Sequence, residues 1–188
     1  MKLLIFGNSG SGKSTLARAL AARHGLAHLD LDTIVWEPGE IAAARPAEAV
    51  RADLDAFLAG HDHWAIEGCY GELIEAAAPA CSRLIFLDPG LEACLANNRR
   101  RPWEPHKYET PEAQDAMLDV LQDWVAGYYT RDDAWSLAAH CRVFAAHPGD
   151  KRLVRTLPAL DDEAEIDRFH LSKSSIQSNS HTGTTGVA

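Results

Sequence analysis

Three features of the 188-residue sequence predict an α/β fold with a parallel sheet buried between helices. Short apolar runs at 2–6, 63–68 and 83–88 have the length and near-continuous hydrophobicity of strands covered on both faces. Segments with helical periodicity separate them, as parallel strands require. Between the first run and the first helical segment stands Gly7-Asn8-Ser9-Gly10-Ser11-Gly12-Lys13-Ser14, which fits the pattern G-x-x-x-x-G-K-[ST] at every fixed position.

The chemistry of that loop follows from its backbone. Glycine removes the Cβ that keeps consecutive N–H groups from converging on an anion, and a helix beginning directly behind the loop adds its positive end. Gly7, Asn8, Ser9, Gly10, Ser11, Gly12, Lys13, Ser14 and Thr15 are therefore expected to hold the polyphosphate of ATP. Lys13 reaches the β- and γ-phosphates and acts in catalysis, and the Ser14 hydroxyl ligates the Mg²⁺ that bridges them.

Composition narrows the class. At this length and 46% hydrophobic content one core domain is expected, placed at 1–170, with a disordered tail at 171–188. A net charge of −9 argues against a general binder of nucleic acid or anionic membrane. Cys69, Cys81, Cys94 and Cys141 form no C-x-x-C pair, so reduced, mostly buried thiols are expected rather than a zinc or redox centre. No apolar run approaches the ~18 residues of a membrane span, and no signal-peptide pattern precedes the first strand. A cytoplasmic protein acting on a small-molecule substrate is expected, as a monomer or a homodimer.

Taken in order, a helix over 15–24 ends at Gly25, and alternation over 26–32 predicts a second strand. Asp30 and Asp32 would share one face at its carboxyl end, where open α/β sheets bind ligands; the alternatives are that Asp32 caps the next element and that Asp30 is solvated. Residues 33–62 form an insert on the acceptor side, with a turn at Glu37-Pro38-Gly39, a helix over 46–58 burying Val50, Leu54, Phe57 and Leu58, and Trp36 and Arg45 as candidate pocket residues. The strand at 63–68 ends in Glu67-Gly68. An acidic side chain there holds Mg²⁺ through water or deprotonates the acceptor hydroxyl, and both roles stay open for Glu67.

A helix over 73–80 leads to the strand at 83–88, whose Asp88 is either a metal competitor or a turn residue before Pro89-Gly90. The helix over 91–101 ends in Arg99-Arg100-Arg101 before Pro102. Guanidinium groups neutralise transferring phosphoryl oxygens, so 99–110, with Trp103, reads as a lid; at 100° per residue only one or two of the arginines can face the site. From Pro111 onward Met117, Leu118, Leu121, Trp124, Val125 and Tyr128 recur at helical spacing and read as core. Arg131 is either a second phosphate contact or the partner of Asp132 or Asp133. A helix through Ser136 and His140 to 144, a strand over 152–157 and a helix over 161–169 complete the fold. The tail is too polar to repay its ordering entropy.

Together the loop at Gly7 to Thr15, L-D-L-D at Leu29 to Asp32, I-E-G-C-Y at Ile66 to Tyr70, L-I-F-L-D-P at Leu84 to Pro89 and the R-R-R-P run resemble the small P-loop kinases of the nucleoside-monophosphate-kinase and shikimate-kinase type. The nearest look is to the adenylate-kinase-related, or topology-modulation, subgroup. The resemblance implies a three-layer P-loop NTPase fold, with a five-stranded parallel sheet in the order 2-3-1-4-5 and helices on both faces, and ATP-dependent phosphoryl transfer. It maps Asp30 to Mg²⁺, Asp32 to the acceptor and Arg101 to the lid arginine, with Arg99 and Arg131 as further lid residues. Arg45, Gly68 and Tyr70 join Asp32 as acceptor-binding residues. Glu67 replaces the family's aspartate, no G-G-G acceptor loop occurs and the lid is short, so the acceptor does not carry over.

Two other readings frame this one. A GTPase switch needs N-K-x-D and D-x-x-G motifs, and the chain has neither. A regulatory nucleotide-binding or ATPase module would keep the loop but lack an acceptor site.

Overall fold

The computed structural model describes residues 1–37, 40–105, 108–156, 166, 167 and 169. Two compact units divide the chain, Met1–Leu157 and Pro158–Ala188. In the second, the Phe169 N–H donates to the Ile166 carbonyl at 2.9 Å. The rest of the helix expected over 161–169, and the whole tail, lie outside the described residues.

In the first unit the strands are β1 (Lys2–Gly7), β2 (Ala27–Asp30), β3 (Trp36–Glu37), β4 (Glu40–Ala44), β5 (Trp64–Gly68), β6 (Arg83–Leu87) and β7 (Asp150–Val154). The helices are α1 (Lys13–His24), α2 (Asp32–Val35), α3 (Ala47–Gly60), α4 (Gly71–Ala77), α5 (Leu91–Arg99), α6 (Pro111–Ala116), α7 (Leu118–Gly127) and α8 (Leu137–Ala146). Five strands form one parallel sheet in the order β2-β5-β1-β6-β7. Counted among themselves in chain order these are 2-3-1-4-5, the order the resemblance implies.

All five residues of β5 and of β6 are buried, as central strands covered on both faces must be. Side chains alternate along β1. Leu4 and Phe6 join Trp64, Ile66, Leu84 and Phe86 in a core closed by Val50 and Leu54 of α3 and Ile74 and Ala77 of α4. Leu3 and Ile5 point to the other face, where α1 lies along β1, β2 and β5 and buries Leu16 and Leu20. The Phe6 and Phe86 rings stack at 4.8 Å, and burying side chains of this size contributes ~1.5–3 kcal/mol each.

Several boundaries differ from the expectation, each for a local reason. β2 stops at Asp30 because the Asp30 carboxylate takes the Asp32 N–H at 3.0 Å, turning the chain into α2. Asp30 and Asp32 therefore do not share a strand face. The insert holds an antiparallel pair, β3 with β4, that composition does not announce, since four of the five β4 residues are Glu or small or ambiguous strand formers and the pairing comes from the neighbour. Pro38 and Gly39 of the expected turn lie outside the described residues. The helix expected from Pro111 breaks at Met117 into α6 and α7. β7 begins at Asp150, held by its ion pair with Arg83 of β6, and Leu157 of the expected strand lies outside the described residues. Among the described residues no helix is long and apolar enough to cross a membrane.

Candidate active site

The loop between β1 and α1 is built where only glycine fits. Gly7 has φ +155° and Gly10 φ +76°; a Cβ on the first would collide with the Leu87 carbonyl oxygen, and on the second with that of Cys94. α5 presses on the loop, Asn97 donating from Nδ2 to the Gly10 carbonyl at 2.8 Å. Asn8 ties it to α7, donating from Nδ2 to the Val125 carbonyl at 3.0 Å while its Oδ1 accepts the Ser9 N–H at 2.8 Å. No side chain caps the N-terminus of α1, and no acidic residue sits in its first turn. The first N–H groups of this helix are thus left for an anion.

These groups open into a cavity of about 710 Å³. Ser9, Gly10, Gly12, Lys13, Ser14 and Thr15 line it, with Arg18 further along α1. Asp32 at the start of α2, Trp36 at the start of β3 and Cys69 and Tyr70 just beyond β5 also line it, as do Asn97, Arg100, Arg101, Trp103 and Glu104 from the end of α5 and the segment beyond. Pro102, Pro105 and Tyr108, Met117 between α6 and α7, Val120, Leu121 and Trp124 of α7, and Trp135 complete the lining. Gly7 and Asn8 sit behind it as supports.

Glu67 lies directly under the loop, fully buried, on the α1 face of the sheet beside Ile5 and across from Asp30. Neither carboxylate oxygen closes a hydrogen bond with another described residue. Burial pushes its carboxyl up to about 7, against the pull of Lys13 and of the Ser14 hydroxyl. Glu67 does not itself line the cavity. Asp30 points its carboxylate at the Asp32 N–H rather than into the cavity. Asp88 accepts the Tyr129 O–H at 3.0 Å, donates its N–H to the Val154 carbonyl at 2.9 Å and lies outside the lining.

Asp32 lines the cavity, as does Glu104. The Asp32 carboxylate accepts the Tyr70 O–H at 2.6 Å, and the Tyr70 oxygen in turn accepts the Trp36 indole N–H at 2.7 Å. Burial first and the Asp32 charge second push the Tyr70 phenol far above its ordinary range, so it stays a donor. Arg101 lies over the loop: its Nη2 donates to Ser9 Oγ at 3.1 Å and to Asn98 Oδ1 at 2.8 Å, and its Nη1 to Glu104 at 3.0 Å. The segment that follows is braced by Gln114, which takes the Glu104 N–H at 2.8 Å and donates to the Pro102 carbonyl. His106 and Lys107 of the expected lid lie outside the described residues.

Four expected site residues stand elsewhere. Arg45 binds the Ile34 carbonyl at 2.7 Å and Asp53 at 2.7 Å, fastening the insert instead of lining the cavity. Arg131 is stacked on the Trp124 ring at 4.0 Å, donates to the Trp124 and Trp135 carbonyls and pairs with Asp133 at 3.3 Å, so its ion-pair alternative holds and it braces aromatic residues. Arg99 points into a separate small recess with Gln114 and Leu118, since the helical turn that aims Arg100 and Arg101 at the cavity turns Arg99 away. Gly68 packs under Leu31, where a larger residue would collide.

The α7 stripe divides as well. Val125 and Tyr128 are buried as expected, whereas Met117, Leu121 and Trp124 line the cavity. Their helical spacing is common to a core face and a pocket wall, so the sequence could not separate them. Asn98, 3% exposed, was also missed; its signal is an asparagine beside a lid arginine. Buried His140, wedged edge-on against Phe6 and Phe86, accepts the Tyr128 O–H at Nδ1 and donates from Nε2 to the Cys69 carbonyl. Burial pushes its pKa down to about 4.

No protein-family model and no curated protein matches the chain. Its fold is similar to solved structures at low identity. A sugar kinase from Janibacter sp. HTCC2649 is 19% identical over 88% of this chain and 90% of that one, with a TM-score of 0.44. A gluconokinase from Sinorhizobium meliloti 1021 is 16% identical over 94% and 97%, with a TM-score of 0.45. Shikimate kinase from Acinetobacter baumannii in complex with shikimate is 20% identical over 77% and 92%, with a TM-score of 0.37.

Proposed function

We propose that the protein transfers the γ-phosphoryl group of Mg·ATP to a hydroxyl of a small-molecule acceptor in the cytoplasm. The observation that carries this reading is the meeting of the uncapped α1 N-terminus, with Lys13 and Ser14, and the Asp32 carboxylate in one cavity. The loop amides and Lys13 hold and neutralise the phosphates, Arg101 covers them from the other side, and Asp32 orients the acceptor hydroxyl. Free thiols at all four cysteines are in keeping with a reducing compartment.

Mg²⁺ fits the residues present. The Ser14 hydroxyl would ligate it, and the unpartnered Glu67 carboxylate beside Ser14 would hold its water, with Asp30 next along the sheet. Among the described residues no three His, Cys, Asp or Glu side chains gather around one point, so the ion would draw most ligands from phosphate and water, as Mg²⁺ commonly does. When bound it neutralises charge developing on the transferring group.

The test is ADP release from Mg·ATP across a panel of nucleosides, nucleotides, sugars and hydroxy acids. ADP release that depends on one acceptor, with the label of [γ-³²P]ATP appearing in it, supports the transferase. ATP hydrolysis indifferent to every acceptor supports a regulatory or ATPase module instead.

A further inference from the structure

The Arg101 guanidinium is held against the phosphate loop by a closed ring of hydrogen bonds, and one member of that ring, Asn98, lies outside the glycine-loop motif. We propose that Asn98 is a positioning residue for the terminal phosphate of Mg·ATP: without lining the cavity itself, it fixes Arg101 against Ser9, so that the guanidinium is set before the phosphate arrives. The inference rests on the phosphoryl-transfer reading and deepens it at the same site.

Three residues close the ring. Arg101 donates from Nη2 to Asn98 Oδ1 at 2.8 Å and to Ser9 Oγ at 3.1 Å, and the Ser9 hydroxyl lies 3.4 Å from the same Asn98 oxygen. The Arg101 backbone N–H donates to the Asn98 carbonyl at 3.2 Å, so Asn98 holds both the main chain and the side chain of the arginine. Ser9 belongs to the loop, Asn98 to the last turn of α5 and Arg101 to the segment beyond, and one carboxamide joins them. The neighbouring arginines lack this link. Arg100 donates from Nε to the Ala96 carbonyl of its own helix at 3.2 Å, and among the described residues only Arg101 of the three hydrogen-bonds to the loop. Ser9 and Arg101 line the cavity, whereas Asn98 shares with Arg101 the separate small recess. Asn98 therefore acts through Arg101.

The carboxamide is set for this purpose at a cost. Asn98 is 3% exposed, and with Oδ1 on Arg101 its Nδ2 is buried with no partner among the described residues. That nitrogen is packed on the loop, since a Cβ on Gly10 would lie 2.9 Å from it. Turning the amide over would set its N–H against the N–H of Arg101. A buried amide donor without an acceptor is destabilising, and a leucine of nearly the same shape would avoid the loss. What the polar residue supplies in return is an acceptor for the guanidinium. Its neutrality also matters. A carboxylate in that place would neutralise the arginine, while a carbonyl oxygen orients it and leaves its charge for phosphate.

Holding the side chain beforehand is the physical gain. A free arginine loses its rotamer freedom when it meets a ligand, and one already fixed does not. Charge on the transferring group is stabilised best by donors that need not reorganise. In the transfer the acceptor's hydroxyl oxygen bonds to the γ-phosphorus as the bond from that phosphorus to the β-phosphate's bridging oxygen breaks, and the hydroxyl proton passes to solvent. Arg101 takes neither proton nor electron pair. It faces the oxygens on which charge develops.

The test is calorimetric titration of the full chain with Mg·ADP and with Mg²⁺ and the β,γ-imido analogue of ATP, which needs no acceptor. Asn98→Leu, Arg101→Met and the double variant are compared with wild type. Each single variant should bind the imido analogue ~10-fold more weakly and Mg·ADP within ~2-fold of wild type, the latter reporting the loop intact. The double variant should bind the analogue no more weakly than Arg101→Met, because Asn98 then has nothing left to position. Wild-type affinity for the analogue in Asn98→Leu, which would leave Glu104 to hold Arg101 by itself, overturns the inference. So do equal losses for both nucleotides, which would make Asn98 a general support of the loop, and losses that add in the double variant. Failure of the kinase reading is distinct: affinities that follow the expected pattern, with no acceptor ever phosphorylated, end that reading and leave Asn98 in its place behind Arg101.

Discussion

The loop part of the cavity lining comes from one short run, Ser9 to Thr15, and offers mainly backbone N–H groups; the aromatic part comes from Trp36, Tyr70, Trp124 and Trp135, on four separate segments, and offers side chains. Backbone amides at a helix N-terminus select for charge and geometry, which every nucleoside triphosphate shares. Side-chain faces select for shape and polarity, which differ from one acceptor to another.

Two buried ionisable groups repeat the contrast on a smaller scale. His140 and Glu67 are both fully buried, but His140 has a partner for each ring nitrogen while neither Glu67 oxygen has one among the described residues. A buried polar group with its hydrogen bonds made is architecture; one left without them beside Lys13 and Ser14 marks a place where a charged ligand is due.

The largest expected effect breaks the loop wall. Lys13→Ala should lower turnover ~10²-fold or more by removing the point charge on the transferring phosphate, whatever acceptor is used. Wild-type turnover would refute the division. Asp32→Asn should act only on the other side, lowering turnover and acceptor affinity together by ~10- to 100-fold while Mg·ATP binding, followed by calorimetry, stays unchanged. Equal loss of ATP affinity in both variants would merge the two walls into one.

Glu67→Gln probes what lies beneath the loop. The Mg²⁺ concentration for half-maximal activity should rise ~10-fold, the usual cost of an altered outer-shell partner, with acceptor affinity unaffected. An unchanged Mg²⁺ titration would assign Glu67 to architecture alongside His140.

The smallest effect concerns His140 and is read as stability. Its folded pKa of about 4 lies below the free value of 6.5, so the unfolded chain takes up a proton there that the folded one refuses. The stabilisation is complete above pH 6.5 and is lost as the pH falls toward 4. His140→Gln removes this titration and some hydrogen bonding, so its Tm should lie a few degrees below wild type at pH 7.5, with the gap narrowing on acidification. A gap independent of pH would show that the ring does not titrate between the two states.

How much was legible in the residues follows the same division. Strand, glycine loop and helix are local, and Gly7, Lys13 and Ser14 could be assigned because the motif's chemistry lies within one loop and the helix turn that follows. Charge makes Arg45 a candidate ligand and leaves Arg131 open between a phosphate contact and an ion pair, yet a guanidinium's role depends on which carbonyls and carboxylates the fold brings within 3 Å. Met117, Leu121 and Trp124 were read as core because helical periodicity reports that one face is covered or apolar, without reporting by what.

By itself the sequence determined the parallel α/β class, the five sheet strands to within a few residues and the glycine loop between β1 and α1, because hydrophobic period and glycine backbone freedom act over a handful of neighbours. The tertiary structure alone decided that Asp32 faces the cavity while Asp30 turns back on the chain, that Glu67 is sealed beneath the loop, and that four aromatic rings from distant segments form one wall. Those outcomes depend on the packing of segments far apart in the chain, and on which polar groups remain unpaired once water is excluded.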